Sequence, residues 1–468
     1  MSDNLRDVWT KALDAAVAYR EAVPERAVAP EFGYPEMLQR LRAPLPEQGL
    51  PSGAVIDELV AAADGGLLGV ASPRFFGWVM GASHPAGVAA DWLVSAWGQN
   101  AGYHTPTPAV SALEEVAEAW LLDILDLPRQ SRIGFVTGAT VAMATCLSAA
   151  RTRVLLNAAW DPDADGLFGA PPVAVLVGAD AHSSVFSALQ LIGFGSNRVI
   201  RIATDGEGRM LAAALAEEIV KHPGPKIVIA QAGQINTGAY DPFAEIVEIA
   251  HAAGAWVHVD GAFGLWARAT PSHRHLTEGI EGADSWVTDG HKWLQVPYDC
   301  GFAIVRDRDA LVRAMTQWSS YLPSIGQGDR VPSALVPELS RRARGVPVWA
   351  MLKTLGRQGM AELVEAHCAF AVRFAERLSL EPGIRVVNDV TINQLILNFG
   401  TGDAAARKAA TEAVIARVQH DGVCFAGGAA WRGDWVMRLS ISSGNTTAAD
   451  IELSADAIIA AWRAVQAA

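Results

Sequence analysis

Two ionisable residues stand at the ends of predicted strands, where parallel-sheet enzymes place their chemistry. Lys292 comes directly after His291 and an apolar run that ends at residue 288, and Asp260 closes the apolar run 256–260. The carboxyl ends of parallel strands meet at one edge of a sheet, so we expect the amine and the carboxylate to lie close together. A buried carboxylate without a cationic partner is costly, which argues against a purely structural role for Asp260.

One cofactor uses both groups. Pyridoxal phosphate needs a lysine amine for its Schiff base and an acid that keeps its pyridine nitrogen protonated. Its phosphate needs a helix N-terminus with free backbone NH groups, and residues 137–140 (Thr-Gly-Ala-Thr) open a predicted buried helix. His182 follows another predicted strand and brings an imidazole that could lie flat against the cofactor ring. Together these elements predict a pyridoxal phosphate site.

The segments that must position these residues have an α/β pattern. Short apolar runs without alternation fit strands buried on both faces, and helices between them imply right-handed crossovers in a mostly parallel sheet. The predicted strands cover residues 173–177, 199–202, 226–230, 256–260, 284–288 and 301–305. A run at 133–150 is predicted to be a loop that enters a buried helix.

The order of helical, Pro-rich and strand-like segments predicts four parts of the chain. Helical patterns interrupted by a Pro-rich stretch indicate an N-terminal arm, and a long helix followed by two strand-like runs indicates a smaller C-terminal α+β domain. The predicted parts are the arm (1–70), a large cofactor-binding α/β domain (71–310), a loop and linker (311–345) and the small domain (346–468).

Composition excludes several classes of protein. The chain has 468 residues, of which 51% are hydrophobic and 19% charged, and its formal net charge is −13. Such a balance gives no electrostatic drive toward nucleic acid or anionic lipid, so neither partner is expected. The N-terminus mixes both charge signs, and polar residues interrupt the uncharged stretch 133–150. We therefore expect neither a signal peptide nor a membrane span.

The cysteines and acidic motifs do not predict a metal site. The four cysteines are scattered without a CxxC pair, which indicates a reducing, cytoplasmic setting rather than disulfides or zinc. The acidic run 161–165 begins like a calcium loop, but Pro172 stands where the loop requires a bidentate Glu.

The ordered motifs resemble those of the group II pyridoxal-phosphate-dependent decarboxylases, the family of aromatic amino acid, glutamate and histidine decarboxylases. This resemblance runs from about residue 75 to residue 447 and implies the type I aminotransferase fold. It is carried by Pro73-Arg74-Phe75-Phe76, Asp180-Ala181-His182-Ser183-Ser184, His258-Val259-Asp260-Gly261-Ala262, His291-Lys292-Trp293-Leu294, Asp299-Cys300 and Ser340-Arg341-Arg342.

The resemblance implies roles for the candidate cofactor residues. Lys292 is expected to form the Schiff base, Asp260 to pair with the pyridine nitrogen and His182 to stack on the ring. The further expected contacts of the cofactor are Ala139, Thr140, His291 and Thr237. Asp289 stands where some relatives have Asn near the phosphate, and a carboxylate there would be repelled unless it is protonated or turned away.

The resemblance also implies a substrate side. Tyr321 matches the tyrosine that is thought to protonate the substrate carbon after carbon dioxide leaves, and Arg438 matches the position associated with the substrate carboxylate. Trp78 and Tyr103 fall in the region that lines the substrate. Aromatic residues at these two positions could stack an aromatic substrate or serve in packing.

The activity that the resemblance implies is decarboxylation of an L-amino acid to its amine by a homodimer whose N-terminal arm wraps the partner. Two alternatives use the same site: reaction with oxygen to an aldehyde, as in aldehyde synthases of the family, and transamination. Tyr321 favours decarboxylation, because many aldehyde synthases have Phe there. A third alternative, a cofactor-free interaction protein, leaves Asp260 without an evident partner.

Overall fold

The computed structural model describes residues 4–316 and 330–467, and the chain divides into two compact units. We call Gly81–Val372 with Val387–Leu395 the central unit. Met1–Met80, Arg373–Val386 and Ile396–Ala468 form the terminal unit.

Helices and strands alternate through most of the described chain. The α-helices are α1 (Leu5–Ala22), α2 (Tyr34–Leu41), α3 (Ser52–Ala63), α4 (Pro85–Trp97), α5 (Pro108–Ile124), α6 (Ala139–Asn157), α7 (Pro162–Asp165), α8 (Ser183–Leu191), α9 (Ala212–Ile219), α10 (Phe243–Ala252), α11 (Arg308–Met315), α12 (Gly345–Ser379), α13 (Ala404–Asp421) and α14 (Ala448–Gln466). The strands are β1 (Arg132–Val136), β2 (Ala174–Gly178), β3 (Val199–Ile202), β4 (Lys226–Gln231), β5 (Trp256–Asp260), β6 (Ser285–Asp289), β7 (Gly301–Val305), β8 (Ile384–Val386), β9 (Gln394–Phe399), β10 (Gly427–Trp431) and β11 (Asp434–Ser440).

A seven-stranded sheet in the order β1-β7-β6-β5-β4-β2-β3 forms the centre of the central unit. Strands β2 to β6 pair in parallel, and β7 runs antiparallel to both of its neighbours. Every residue of β4, β5, β6 and β7 is buried, which fits central strands covered on both faces. The predicted α/β class with a mostly parallel sheet is confirmed.

Helix α6 packs against this sheet through small residues. Its buried side chains include Ala142, Cys146 and Ala149, and the Cys146 sulfur lies 3.6 Å from the Trp286 carbonyl oxygen. Small side chains let the helix axis approach the strands closely, which places the first turn of α6 at the carboxyl edge of the sheet. The prediction of a loop before this helix is wrong, because strand β1 precedes it and pairs with β7.

Buried ion pairs join α5 to the chain that follows residue 329. Glu114 lies 2.6 Å from Arg341 and 2.9 Å from Arg330, which also contacts Glu118 at 3.3 Å. All four side chains are at most 5% exposed. Burial opposes the charge of Glu114, but Arg341 and Arg330 outweigh it and hold the pKa of this carboxyl below its usual range.

The terminal unit combines the N-terminal arm with a four-stranded sheet in the order β10-β11-β9-β8. Arg74 ties these parts together, since its guanidinium lies 3.2 Å from Asp450 and donates to the carbonyls of Pro24 and Val423. This grouping differs from the four predicted parts, because the arm packs with the C-terminal segments and most of α12 belongs to the central unit.

Candidate active site

Lys292 lies just beyond the carboxyl end of β6, in a turn held by backbone hydrogen bonds. The NH groups of Gly290 and His291 both donate to the Cys300 carbonyl, at 3.0 and 3.2 Å. The Lys292 Nζ is 3.0 Å from Asp289 Oδ2, and the two side chains are 17% and 3% exposed. The structure therefore presents a lysine amine at the edge of the sheet, paired with a buried carboxylate.

His291 is held in one tautomer by its neighbours. Its Nδ1 accepts a hydrogen bond from the Cys300 NH at 3.1 Å, so a neutral ring carries its proton on Nε2, which lies 3.5 Å from Asp289 Oδ2. Burial lowers the pKa of His291, and the Tyr298 ring stacks on the imidazole at 4.4 Å between centroids. His291 can thus donate from Nε2 into the site.

Asp260 lies on the neighbouring strand, where it pairs in register with Val287 of β6. Among the described residues its carboxylate accepts one hydrogen bond, from the Ala262 NH at 3.2 Å. Burial raises the pKa of Asp260, and the nearby His182 and Lys292 oppose that rise. A buried acid with so few donors fits a cationic ligand such as a protonated pyridine nitrogen.

The first turn of α6 meets the Lys292 turn through glycines. A Cβ at Gly138 would lie 3.1 Å from His291 Cε1, and a Cβ at Gly301 would lie 2.5 Å from Gly138 Cα. Only glycines allow the first turn of α6 to come this close to the Lys292 turn. The backbone amides of Ala139 and Thr140 therefore lie beside His291, at the start of a long helix. Such a helix N-terminus suits a phosphate.

His182 caps the start of α8, and its Nδ1 lies 2.6 Å from Ser184 Oγ and 3.2 Å from the Ser184 nitrogen. A residue not anticipated from the sequence, Gln234, helps to place this loop. Its Nε2 donates to the Asp180 carbonyl at 3.1 Å, while its Oε1 accepts from the Asn236 NH at 2.6 Å. The one feature of the sequence that could have indicated Gln234 is its polar side chain soon after the end of β4.

Thr237 belongs to the same loop, but its side chain is occupied elsewhere. Its hydroxyl donates to the Glu207 carbonyl at 2.7 Å and accepts from the Ala239 NH at 3.2 Å, and the residue is fully buried. In the structure Thr237 stabilises the loop, and its predicted contact with the cofactor stays a prediction without geometric support.

The predicted substrate residues fall in different places. Trp78 and Arg438 both belong to the terminal unit, where Arg438 pairs with Gly427 and a Cβ at Gly427 would lie 4.0 Å from Trp78 Nε1. Trp78 is 50% exposed and has a φ of 50°, and burial lowers the pKa of Arg438 to about 10. Tyr103 lines a shallow depression in the central unit, together with Val331 and Leu339. Tyr321 lies outside the described residues.

The central unit thus assembles an amine, a buried acid, an imidazole and a helix N-terminus at one edge of a parallel sheet. Within residues 4–316 and 330–467, no group of three His, Cys, Asp or Glu side chains could hold a metal ion. The donor set fits pyridoxal phosphate, and the fold and site define a pyridoxal-phosphate enzyme with the type I aminotransferase fold.

Comparison with known families gives the finer assignment. The family model described as the pyridoxal-dependent decarboxylase conserved domain matches residues 35–398, and the chain belongs to this family. It is therefore a pyridoxal-phosphate-dependent carboxy-lyase.

Relatives in the family act on different amino acids or give different products. The chain is 28% identical over 471 residues to tryptophan decarboxylase 1 of Oryza sativa subsp. japonica, covering 94% of this chain and 90% of the relative. It is 31% identical over 352 residues to L-2,4-diaminobutyrate decarboxylase of Rhizobium meliloti, covering 72% and 68%. It is 25% identical over 402 residues to phenylacetaldehyde synthase of Arabidopsis thaliana, covering 82% and 80%.

A solved structure shares the fold. The crystal structure of Oryza sativa TDC with PLP and tryptamine superposes with a TM-score of 0.90 at 24% identity, covering all of this chain and 98% of the other. This similarity covers both units and supports the type I fold. In the described residues, no helix combines the length and the apolar character that a membrane crossing requires.

Proposed function

We propose that this carboxy-lyase removes the carboxylate of an L-amino acid and releases the amine, with Lys292 holding the cofactor as a Schiff base. The observation that carries the proposal is the placement of the buried, sparsely hydrogen-bonded Asp260 and the Lys292 amine at the ends of adjacent strands. Pyridoxal phosphate supplies the electron sink for decarboxylation. The protein supplies orientation and charge.

Each residue of the central site has a physical task in this proposal. Asp260 holds a proton on the pyridine nitrogen, because its burial makes an uncompensated carboxylate costly. His182 lies against the ring face. The amides of Ala139 and Thr140 bind the phosphate together with the Nε2 proton of His291, which the Cys300 hydrogen bond fixes on that nitrogen.

For the substrate we propose an aromatic L-amino acid whose carboxylate pairs with Arg438. The support is the arrangement inside the terminal unit, where the half-exposed indole of Trp78 lies beside Gly427, the residue paired with Arg438. An indole face suits an aromatic ring and a largely buried guanidinium suits a carboxylate. Tyr103 is retained as a candidate substrate contact by resemblance alone.

The test is to saturate the purified protein with pyridoxal phosphate and incubate it with single L-amino acids while carbon dioxide and amine are measured. We expect both products with at least one aromatic amino acid and in equal amounts. Neither product from any proteinogenic amino acid, in a protein that shows cofactor absorbance and a borohydride-trapped adduct on Lys292, would contradict decarboxylation.

An aldehyde-forming reaction is the second candidate, because phenylacetaldehyde synthase is among the relatives. Oxygen uptake with release of aldehyde, ammonia and peroxide would identify it, and formation of an amino acid from a keto acid would identify transamination.

In the proposed decarboxylation Tyr321 delivers a proton to the substrate carbon. Tyr321→Phe is then expected to shift the product from amine toward aldehyde, and an unchanged amine yield would assign the proton to another group.

We further propose that the protein acts in the cytoplasm as a homodimer in which the N-terminal arm covers the partner. Helices α1, α2 and α3 bury none of their residues within the chain. Along α1, Leu5, Trp9 and Leu13 repeat every four residues and are 61%, 55% and 43% exposed. An exposed apolar helix face is typical of a subunit contact. The four free cysteines support the reducing compartment.

A further inference from the structure

Asp289 places a buried carboxylate beside the expected phosphate position. Its Oδ1 has no hydrogen-bond partner in the described residues, and the side chain is 3% exposed. A Cβ at Gly138, at the start of α6, would lie 3.7 Å from this oxygen, and a Cβ at Gly301 would lie 2.8 Å from it. The backbone therefore encloses the carboxylate, and an unpaired buried oxygen points toward the helix end that suits an anion.

The other oxygen of Asp289 contacts two groups of the cofactor site. Oδ2 lies 3.0 Å from Lys292 Nζ and 3.5 Å from His291 Nε2. This ion pair fixes the direction of the Lys292 side chain in the cofactor-free structure. To hold pyridoxal phosphate covalently, Lys292 would have to leave this ion pair.

Asp289 thus acts against cofactor capture twice. It holds Lys292 in an ion pair before the cofactor binds, and its charge would repel a phosphate dianion at the α6 N-terminus. The other charged or titratable groups near this cluster are Asp260, His182, His291, Lys292, Tyr298, Asp299 and Cys300.

We propose that Asp289 is a positioning residue that aims Lys292 in the cofactor-free enzyme and weakens the binding of pyridoxal phosphate, so that the enzyme exchanges its cofactor readily. This inference rests on the proposed function, in which Lys292 and the α6 N-terminus hold the cofactor. An asparagine at this position would keep the shape and remove the charge.

The test compares cofactor-free wild type with Asp289→Asn by titration with pyridoxal phosphate, pyridoxal and inorganic phosphate, followed by absorbance and fluorescence. We expect the dissociation constant of pyridoxal phosphate to fall about tenfold, since one neighbouring charge at partly buried distances has effects of at least this size. Inorganic phosphate should gain similarly, whereas pyridoxal, which lacks the phosphate, should gain less. Acylation of Lys292 by acetic anhydride, mapped by mass spectrometry, should be faster in the variant.

Two controls make the result decisive. Asp456→Asn removes the same charge from an exposed pair with Arg377 and should leave all three affinities unchanged. Asp289→Ser removes the charge with a smaller side chain and serves if the amide disturbs folding, which circular dichroism reports. The inference is overturned if both Asp289 variants bind pyridoxal phosphate as weakly as wild type or more weakly, while borohydride traps the cofactor on Lys292 of the wild type. A wild type without that adduct refutes the proposed function instead.

Discussion

Lys292 is expected to provide the covalent link to the cofactor, and Lys292→Ala separates that link from the other contacts. Asp260 and the α6 N-terminus remain in the variant, so pyridoxal phosphate should still bind with lower affinity but without a borohydride-stable adduct. Turnover should fall by a factor of about 10² or more. Lys353→Ala, which changes an exposed lysine on α12, is the matched control. Turnover like that of wild type without added amine would refute the assignment of Lys292.

Asp260 has a predictable effect on stability in the absence of cofactor. Burial raises its pKa, so the native state binds the proton more tightly than the unfolded chain does. The stability of the cofactor-free protein should therefore fall as the pH rises above the unfolded value of about 3.9. Asp260→Asn removes this loss, and denaturant melts should show a higher midpoint than wild type at pH 8 but no gain near pH 3. A variant that is less stable at both values would contradict the burial argument.

How far single residues could be predicted from the sequence depended on where they stand. Asp260 and Lys292 stand at strand ends, where an apolar run interrupted by a charge is visible in the sequence. Gln234 and Tyr298 could not be assigned, because their roles depend on which loops meet in space and no local pattern reports that. The Thr237 hydroxyl is satisfied by backbone groups, one of them from the distant Glu207, which spacing alone does not reveal.

At the scale of helices and their connections, the buried ion pairs of α5 give a stability prediction. Arg341→Met leaves Glu114 with one cation in a buried position, and the free energy of unfolding should fall by about 3–5 kcal/mol. Arg342→Met is the control, because Arg342 pairs with Asp91 at the surface and its loss should cost about 1 kcal/mol or less. Urea denaturation of both variants measures the difference. Equal losses of unfolding free energy in the two variants would show that the buried ion pair stabilises the fold no more than the surface pair does.

The same network predicts acid sensitivity. The pKa of Glu114 is held below its unfolded value, so its ion pairs contribute stability above about pH 4.3 and lose it as the pH falls further. The Arg341→Met variant should therefore lose less stability than wild type between pH 5 and pH 3. The two curves should converge on the acid side. Parallel curves would assign the acid loss to other carboxylates.

The contact of β7 with the start of α6 gives a second prediction at this scale. In Gly301→Ala the new methyl group would meet the backbone of Gly138 at 2.5 Å, so strand and helix must move apart. We expect retained circular dichroism with at least about tenfold weaker binding of pyridoxal phosphate. Gly195→Ala is the control, since nothing lies within 4 Å of its added methyl group. Wild-type affinity in Gly301→Ala would show that the helix N-terminus does not need this approach.

The strands that were predicted well share a continuous apolar run bounded by turns. Strands β3, β5 and β7 have the predicted bounds, and their complete or partial burial explains the clear pattern. Strand β10 was not predicted because Gly-Gly-Ala-Ala has no strand preference of its own, and it forms by pairing with β11. Strand β1 was missed because only Thr137 and Gly138 separate its apolar run from α6, and no charged residue marks the boundary.

At the scale of the whole molecule, the exposed apolar face of α1 predicts what truncation does. A chain that begins at residue 71 loses α1, α2 and α3 and, with them, the proposed subunit contact. We expect it to sediment as a monomer and to lose activity, while the full chain sediments as a dimer. Trp9→Glu, a single charge on the same face, should weaken the dimer without removing the arm. A full-length protein that is fully active as a monomer would refute the contact.

Burial of every native thiol makes this chain a convenient host for a spectroscopic reporter. Burial raises the pKa of Cys368 and Cys424 to about 12, and Cys146 and Cys300 are shifted in the same direction. A maleimide dye should therefore leave the folded wild type nearly unlabelled and react with a single cysteine introduced on the arm, as in Glu58→Cys. Energy transfer between dyes on two subunits would then report the arm-to-arm distance during assembly.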